Sequence, residues 1–303
     1  MRLQRLATKA IARAYTEWRF LSWEINRKFR KYNIISTKQG IYKILFADND
    51  ISKQLYCYGQ YQIELITNAL IFLRGIHKCP PKGEGSVIDI GANIGIISIG
   101  MLHAGQVKQA IAIEPDPQNY SLLQENVALN GLKERIVCLP VAASYQKGET
   151  QFELSDDNFG DHRINTNFHQ FNSDLPELFN ESKRNIITVQ TDQLDNLLAR
   201  SPDSFTRNIA LMWVDVQGYE GYVFMGARST LSTGIPVVSE IWPYGIKRSG
   251  MNQDEFCSIV SSIWSNYWVW RRGKFICYPI NTIDIFFDEL GYEGAYDDVI
   301  FTI

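Results

Sequence analysis

The chain has 303 residues, of which 45% are hydrophobic and 21% charged, as in a soluble globular protein with one large α/β domain or two small ones. No apolar run approaches the roughly 20 residues that a transmembrane helix needs. The five cysteines are scattered and form no C-x-x-C pair, which favours reduced, mostly buried thiols in a cytoplasmic protein over a disulfide framework or a zinc site.

The net charge of −3 combines a basic N-terminal segment with an acidic remainder. Residues 1–31 carry nine basic and two acidic side chains, so this segment has a charge of +7 and the other 272 residues have −10. Residues 1–33 lack Gly and Pro, and their apolar residues recur near helical spacing, which predicts a separate basic amphipathic helix. The segment lacks the continuous apolar core and the cleavage site of a secretory signal.

Three roles remain open for this helix. Its Trp18, Phe20 and Trp23 side chains could pack on the rest of the chain, or on a second subunit in a homodimer. Residues 1–31 could lie on an anionic membrane surface. The basic side chains could also bind an anionic substrate.

Residues 34–85 are predicted to form a smaller cap that precedes the main domain. Residues 41–46 and 55–58 are strand-like and flank an Asn-Asp turn, which predicts a hairpin. Residues 61–76 carry apolar side chains at helical spacing and predict a helix. The Pro- and Gly-rich residues 79–85 end this segment.

A strand, a glycine turn and a helix open the main domain, which we place at residues 86–303. The apolar run at 87–90 is typical of a buried parallel strand, and Gly91 and Gly95 supply a tight turn. The pattern D-x-G-x-N-x-G lacks the middle glycine of the dinucleotide fingerprint, and Asp89 would repel a pyrophosphate. A ligand with an ammonium group and no phosphate, such as S-adenosylmethionine (SAM), fits this turn better.

A second acidic residue closes the next predicted strand, at residues 110–113. Glu114 lies 25 positions after Asp89, roughly where an acid reaches ribose hydroxyls in such folds. Asp116 is the predicted N-cap of the following helix, and Pro117 is its first residue.

Residues 155–185 are polar and lack periodicity, and long loops in compact domains are often functional. Asp161, His162 and Arg163 place three kinds of ionisable group side by side in this loop. The stretch is either a solvated loop with an Arg–Asp pair or a substrate and catalytic loop beside the cofactor.

The second half of the domain continues the alternation of strands and helices. We predict strands at 187–190, 209–216, 235–241 and 299–303, a helix at 254–267, and a hairpin of 268–271 with 274–278. Asp215 and Glu240 lie near the ends of two strands, and the loop at 242–250 brings aromatic residues together with Lys247 and Arg248. This alternation predicts a mostly parallel sheet with a ligand crevice at the carboxyl ends of its strands.

Four motifs in this order resemble the FkbM family of class I SAM-dependent methyltransferases. They are residues 89–98, Glu114-Pro115, residues 126–131 and residues 214–220. The resemblance covers roughly residues 35–303, with one departure: family members often carry Glu where this chain has Gln217. It implies a Rossmann-like α/β fold, in which a seven-stranded, mostly parallel sheet has helices on both faces and follows an N-terminal helix and hairpin.

The resemblance also implies roles for individual residues. The SAM-binding residues would be Asp89, Gly91, Asn93, Gly95, Glu114, Asp116 and Ala142. The catalytic residues would be Asp215, facing the methyl group, Asp161, and His162 as general base, because the unperturbed pKa of histidine lies near working pH. The second choice of base is His169, whereas His77 and His103 are assigned structural roles. The substrate-binding residues would be Arg163, Glu220, Glu240, Lys247 and Arg248, whose cations could hold an anionic acceptor.

The implied activity is O-methylation of a hydroxyl on a sugar, glycan or natural product, with a small-molecule or glycan acceptor as partner. Nucleic acid is not expected, because the basic charge is confined to the first 31 residues. We assign no metal site, although Asp215, Glu220 and Glu240 could supply oxygen ligands to magnesium. The alternatives are a catalytically degenerate SAM-fold binding module, and a glycan- or membrane-associated interaction protein that uses the basic helix.

Overall fold

The computed structural model describes residues 2–166 and 175–303, and His169 lies outside the described residues. The helices are α1 (Arg2–Asn26), α2 (Ile51–Tyr58), α3 (Ile63–Gly75), α4 (Ile96–His103), α5 (Pro117–Leu129), α6 (Leu194–Ala199), α7 (Asp203–Thr206), α8 (Glu220–Met225), α9 (Arg228–Leu231), α10 (Pro243–Arg248), α11 (Gln253–Ser261) and α12 (Ile283–Leu290). The strands are β1 (Tyr32–Thr37), β2 (Gly40–Leu45), β3 (Ser86–Ile90), β4 (Gln109–Ile113), β5 (Ile136–Leu139), β6 (Ala142–Ala143), β7 (Gly148–Leu154), β8 (Arg163–Asn165), β9 (Asn185–Asp192), β10 (Ile209–Val214), β11 (Val237–Ile241), β12 (Asn266–Arg271), β13 (Lys274–Pro279) and β14 (Asp297–Thr302). Short 3-10 helices cover Glu181–Lys183 and Ile280–Thr282.

The central sheet has the order β13-β12-β14-β11-β10-β3-β4-β5 within the described residues. Strands β11, β10, β3, β4 and β5 are parallel, whereas β14, β12 and β13 pair antiparallel. This arrangement confirms the predicted mostly parallel α/β class. The sheet has eight strands where seven were predicted, because β13 folds back from the predicted hairpin and pairs with β12 along its whole length.

Alternate residues of the central strands face two separate hydrophobic layers. Ile88 and Ile90 of β3 belong to one layer, together with Phe224 of α8. Val87 belongs to the other, together with Leu70 of α3. Helices therefore cover both faces of the sheet, as predicted.

A smaller sheet with the order β6-β9-β7-β8 lies between β5 and β10 along the chain. Strand β7 lies between β8 and β9 and pairs antiparallel with both, and β6 pairs parallel with β9. Strand β8 carries Arg163 into this sheet, so part of the predicted 155–185 loop is regular structure.

The N-terminal hairpin exists, but its second predicted strand is wrong. Strand β1 pairs with β2, whereas residues 55–58 belong to α2. The Asp48 carboxylate accepts the backbone N–H of Ser52 at 2.7 Å and so satisfies an amide at the start of α2. Leu55 and Tyr56 are buried as consecutive residues, which explains why the segment resembles a strand in sequence.

Two asparagines attach this hairpin to the main domain. The Oδ1 atom of Asn126 accepts the backbone N–H of Lys43 at 2.6 Å, and its Nδ2 donates to the carbonyl of Ile94 at 3.0 Å. Asn130 binds both the N–H and the carbonyl of Ile41, at 2.9 and 2.7 Å. The motif at residues 126–131 therefore has a structural role. The predicted helix through residue 33 is wrong at its end, because α1 ends at Asn26 and β1 begins at Tyr32. The division of the chain into domains at residues 33 and 85 stays a prediction.

Helix α1 packs on the body through part of its aromatic set. Trp23 is fully buried, 4.8 Å from Phe46 between ring centroids, and Phe20 packs edge-on against Tyr58. Trp18 is 57% exposed, so the predicted packing of all three aromatic residues is only partly correct.

The C-terminal half contains helices that the sequence did not indicate, among them α10 and α12. Helix α10 lies in the predicted 242–250 loop and begins with Pro243 at its first position. Helix α12 buries Ile283, Phe286 and Phe287 on one face. Helix α11 ends earlier than predicted, because the chain then enters β12, which pairs with β14.

All five cysteines are free thiols. Only Cys57 is fully buried, and Cys277 is exposed, so the expectation of mostly buried thiols is only partly correct. Within the described ranges, no helix combines the length and the apolar character that crossing a bilayer requires.

Candidate active site

One pocket lies at the carboxyl ends of the parallel strands. Gly91 directly follows β3, Glu114 follows β4, Asp215 follows β10, and Glu240 lies near the end of β11. The topology therefore brings together the strand-end residues that the sequence placed far apart, at the edge where ligands bind in such sheets.

The turn after β3 forms the floor of the pocket. Gly91 has a φ of +84°, and a Cβ atom there would lie 1.8 Å from the carbonyl oxygen of Asp215, so only glycine fits. The backbone N–H of Asn93 donates to Glu114 Oε2 at 2.8 Å, and its side-chain Nδ2 donates to the carbonyl of Phe159 at 2.8 Å. The turn is thus fixed from three directions.

Glu114 lines the pocket and also holds its floor. Its second oxygen, Oε1, accepts the backbone N–H of Asp116 at 2.8 Å. Burial raises the pKa of Glu114 to about 8, against the lowering effect of these backbone hydrogen bonds. Ala142 lines the same side of the pocket.

Three predicted SAM-binding residues lie behind the pocket wall. Asp89 Oδ2 accepts the backbone N–H and the hydroxyl of Ser98, at 3.0 and 2.5 Å, and burial raises its pKa to about 6. A Cβ atom on Gly95 would lie 2.8 Å from side-chain atoms of Ile99 and Leu123, so this glycine allows close helix packing. Asp116 is the N-cap of α5, as predicted.

A glutamine bridges two carboxyl groups in the lining of the pocket. Gln217 Nε2 donates to Asp215 Oδ1 at 2.7 Å and to Glu240 Oε2 at 3.4 Å. Burial raises the pKa of both acids, and the charge of Asp215 raises that of Glu240 further. Asp298, opposite Glu240 on β14, has a pKa raised to about 8 by burial and by the charge of Asp215.

Glu220 does not line this pocket. It is completely buried, and its Oε1 accepts the backbone N–H groups of Val216 and Gly218, at 3.0 and 3.2 Å. It therefore stabilises the turn that carries Gln217.

His162 lies in the pocket wall between two aromatic rings, Phe152 and Phe159. Its Nδ1 accepts the backbone N–H of Ser155 at 3.0 Å. Burial, followed by the nearby charge of Arg184, lowers the pKa of His162 to about 4. The ring is therefore neutral near pH 7, with its proton on Nε2.

A buried cluster of arginines and acids supports the same wall. Asp161 binds the guanidinium groups of both Arg163 and Arg184. Glu153 lies 3.4 Å from Arg163 and 3.6 Å from Arg184, and Glu181 lies 3.4 Å from Arg248. Arg163 also stacks over Trp242, with its Cζ 4.8 Å from the ring centroid. The predicted pair of Asp161 with Arg163 is thus part of a larger buried network.

Two predicted substrate-binding cations, Arg163 and Arg248, line a small adjoining cleft and not the main pocket. Lys247 lies over the ring of Tyr292, at 5.0 Å. Sequence reasoning missed several lining residues that come from distant parts of the chain. They are Asp50, Tyr61, Trp242 and Tyr296. In the described ranges, no group of three His, Cys, Asp or Glu side chains is arranged to hold a metal ion.

Comparisons with known proteins identify the family of the chain. The model of the methyltransferase FkbM domain matches residues 89–266, more than half of the chain. The 2-O-methyltransferase NoeI of Sinorhizobium fredii is 28% identical over 169 residues, which are 55% of this chain and 67% of that protein.

Two solved structures are similar at lower identity. Methyltransferase FkbM from Methylobacillus flagellatus KT has a TM-score of 0.42 and 15% identity, covering 74% of this chain and 44% of that one. The tRNA m1G37 methyltransferase of M. jannaschii has a TM-score of 0.44 and 11% identity, covering 91% of this chain and 57% of that one. This chain therefore spans less than two thirds of either solved protein.

The mostly parallel sheet, the pocket at its strand ends and the matched domain define a class I methyltransferase fold. The chain belongs to the FkbM methyltransferase family. The resemblance that the four sequence motifs indicated is confirmed.

Proposed function

We propose that the protein is a SAM-dependent O-methyltransferase that acts on a hydroxyl group of a sugar, glycan or related natural product. The observation that carries the proposal is a single pocket that joins the Gly91 turn and Glu114 to the carboxyl pair Asp215 and Glu240. The FkbM family match and the name of the 2-O-methyltransferase NoeI support methyl transfer to oxygen.

The residues around the Gly91 turn would hold SAM. Five acidic residues and no Lys or Arg line the pocket in the part of the chain that the structure describes. This lining suits a ligand with ammonium and sulfonium groups and does not suit a pyrophosphate. Each oxygen of Glu114 accepts one backbone N–H, which leaves lone pairs for the ribose hydroxyls.

His162 acts in this mechanism as a hydrogen-bond donor and not as the predicted general base. Because its Nδ1 accepts the N–H of Ser155, its proton lies on Nε2. That nitrogen can donate to an acceptor oxygen but has no free lone pair to receive a proton. The depressed pKa, about 4, agrees with this role.

The carboxyl pair Asp215 and Glu240 supplies the general base. The two groups share one amide donor on Gln217, and burial raises the pKa of both. Neighbouring buried carboxyls of this kind hold one proton between them, and the remaining carboxylate is more basic than an exposed one. Such a group suits removal of a proton from a bound hydroxyl near neutral pH.

When bound, SAM supplies a methyl carbon whose bond to sulfur breaks, with the electron pair going to sulfur, as the acceptor oxygen bonds to that carbon. The protein aligns the hydroxyl with this carbon, and the carboxyl pair takes up the hydroxyl proton. Three of the aromatic side chains that line the pocket, Tyr61, Trp242 and Tyr296, would pack on the acceptor and exclude water.

The pocket lining supports an uncharged acceptor. Arg163 and Arg248 lie in buried ion pairs with Asp161 and Glu181, and so are engaged by the protein itself. A phosphate or carboxylate on the acceptor would meet the carboxyl pair Asp215 and Glu240, and no Lys or Arg among the described lining residues. Sugar hydroxyls donate readily to such carboxylates.

Calorimetric titration with SAM tests the cofactor assignment. The Glu114→Gln variant replaces one acceptor oxygen by an amide nitrogen that cannot accept a hydrogen bond, which should weaken SAM binding roughly 10- to 100-fold. The matched control is Asp203→Asn, which removes an exposed carboxylate outside the pocket and should bind like the wild type. Thermal unfolding of each variant separates a loss of binding from a loss of folding.

A transfer assay tests the acceptor class. Labelled methyl transfer from SAM should proceed to neutral sugar glycosides and not to the matching uronic acids or sugar phosphates. SAM binding without transfer to any hydroxyl acceptor would support the degenerate binding module. A wild-type protein that binds neither SAM nor its demethylated product would contradict the proposed function.

A further inference from the structure

The outer face of α1 and the turn after it carry an exposed apolar stripe. Its residues are Tyr15, Trp18, Leu21, Ile25 and Phe29. They follow one another at intervals of three and four positions, so they align along one side of the helix. Each of these side chains is more than half exposed, and Phe29 is 81% exposed. A continuous exposed row of large apolar side chains usually marks an interaction surface.

The opposite face of α1 fixes the stripe in its outward orientation. Trp23 is fully buried between Phe46 and Tyr56, with ring centroids at 4.8 and 5.4 Å. Arg19 Nε donates to the carbonyl of Tyr56 at 2.6 Å, and its guanidinium stacks over the same ring. The helix therefore cannot rotate to bury the stripe without losing these contacts.

Cations surround the protruding end of the stripe. Phe29 lies within the run Arg27, Lys28, Arg30 and Lys31, and all four cations are exposed. Residues 1–31 have a charge of +7, whereas the rest of the chain has −10. The turn that ends the apolar stripe is thus positively charged, and the chain after residue 31 carries a net negative charge.

We propose that the apolar stripe docks on a lipid bilayer that contains anionic lipids, with α1 lying along the bilayer surface. Trp, Tyr and Phe on one face with Lys and Arg nearby form the pattern of an interfacial helix. An anionic surface attracts the cations, and the apolar interior accepts Trp18, Leu21 and Phe29. The inference is independent of the proposed catalysis.

Other occupants fit the same face less well. A second copy of α1 would bring another segment with a charge of +7 against this one. A polyanion such as a nucleic acid would neutralise the cations but leave the apolar side chains in water. A bilayer with anionic lipids satisfies both features.

Vesicle co-sedimentation of the full-length chain tests the proposal. The protein should bind vesicles of phosphatidylcholine mixed with phosphatidylglycerol, bind phosphatidylcholine alone much more weakly, and dissociate as the salt concentration rises. The double variant Trp18→Ser/Phe29→Ser should lose roughly ten-fold or more in affinity for the mixed vesicles. Both side chains are exposed, so the folded structure should be retained.

Two further variants make the test specific. Ile71→Ser/Ile285→Ser removes two apolar side chains, each more than half exposed, from other helices and should bind like the wild type. Lys28→Glu/Arg30→Glu should lose binding to mixed vesicles with unchanged thermal unfolding.

Three results would overturn the proposal. The first is equal vesicle binding by the wild type and the stripe variant, and the second is no binding of the wild type to either kind of vesicle. The third is a wild-type protein that does not bind vesicles but forms a dimer, with the dimer lost in the stripe variant. Analytical ultracentrifugation of both proteins measures the last of these.

Discussion

The Nδ1 atom of His162 accepts a hydrogen bond from the backbone N–H of Ser155 at 3.0 Å. This one contact decides which imidazole nitrogen carries the proton, and therefore whether the residue donates or accepts toward the pocket. Burial keeps the ring neutral by lowering its pKa from 6.5 to about 4. Stability should therefore depend on pH through this side chain.

The contribution of His162 to the free energy of unfolding should fall as the pH drops from about 7 to about 5, so the wild type should lose stability relative to His162→Asn over this range. Between pH 6.5 and about 4 the unfolded chain binds a proton at His162 that the folded chain does not, so acid favours unfolding. The difference at about pH 5 should be on the order of 2 kcal/mol. Denaturant unfolding of both proteins at the two pH values measures it.

The same variant tests whether His162 acts in methyl transfer as a hydrogen-bond donor or as the general base. His162→Asn keeps an acceptor for the Ser155 N–H but removes the Nε2–H donor of the imidazole. If His162 acts only as a donor, the variant should lower the rate of methyl transfer without moving the pH midpoint of that rate. Disappearance of the acidic limb of the pH–rate profile in this variant would return the role of base to His162.

Replacing Gln217 with Glu should slow methyl transfer roughly 10- to 100-fold and move the pH midpoint upward. The change removes the amide that bridges Asp215 and Glu240 and adds a third negative charge beside them. Rates measured with saturating SAM across a pH series check this. Gln124→Glu places the same charge on an exposed turn of α5 and should change neither quantity. An unaltered pH–rate profile for Gln217→Glu would show that methyl transfer does not depend on the amide bridge between Asp215 and Glu240.

Asp161→Asn should destabilise the fold by roughly 3–5 kcal/mol. Asp161 pairs with both Arg163 and Arg184, and all three side chains are buried, so the variant leaves two guanidinium groups with less compensation. Denaturant unfolding measures the loss, and Asp203→Asn, an exposed carboxylate, should change stability little. If Asp161→Asn matches that control, Glu153 and Glu181 are sufficient to hold the two arginines.

Local sequence signals predicted the elements that surround the pocket floor. The β3 strand, the Gly91 turn and the Asp116 cap were predictable because short-range chemistry determines them. The sequence could not separate ligand contact from support. Asp89 and Gly95 belong to the same motif as Gly91, yet they fix a helix from behind.

The remaining wall of the pocket required the tertiary structure. Asp50, Tyr61 and Tyr296 come from segments far apart in the chain, and no periodicity relates them. Arg184 and Glu153 meet Asp161 only because β7, β8 and β9 pair in the smaller sheet. Likewise, Leu55 and Tyr56 resemble a strand in sequence, but they lie in α2, where the Asp48 carboxylate accepts a backbone N–H of the first turn.

Strand β14 lies between β11 and β12 in the central sheet, although it follows both in the chain. Tyr296, immediately before β14, lines the pocket, and Asp298 lies opposite Glu240 in the register of β14 with β11. During translation, β11 and β12 therefore leave the ribosome with unpaired edges and meet only when residues 297–302 arrive. A nascent chain that stalls before residues 297–302 are made would expose strand edges with unpaired backbone N–H and C=O groups to chaperones, and would lack one side of its pocket.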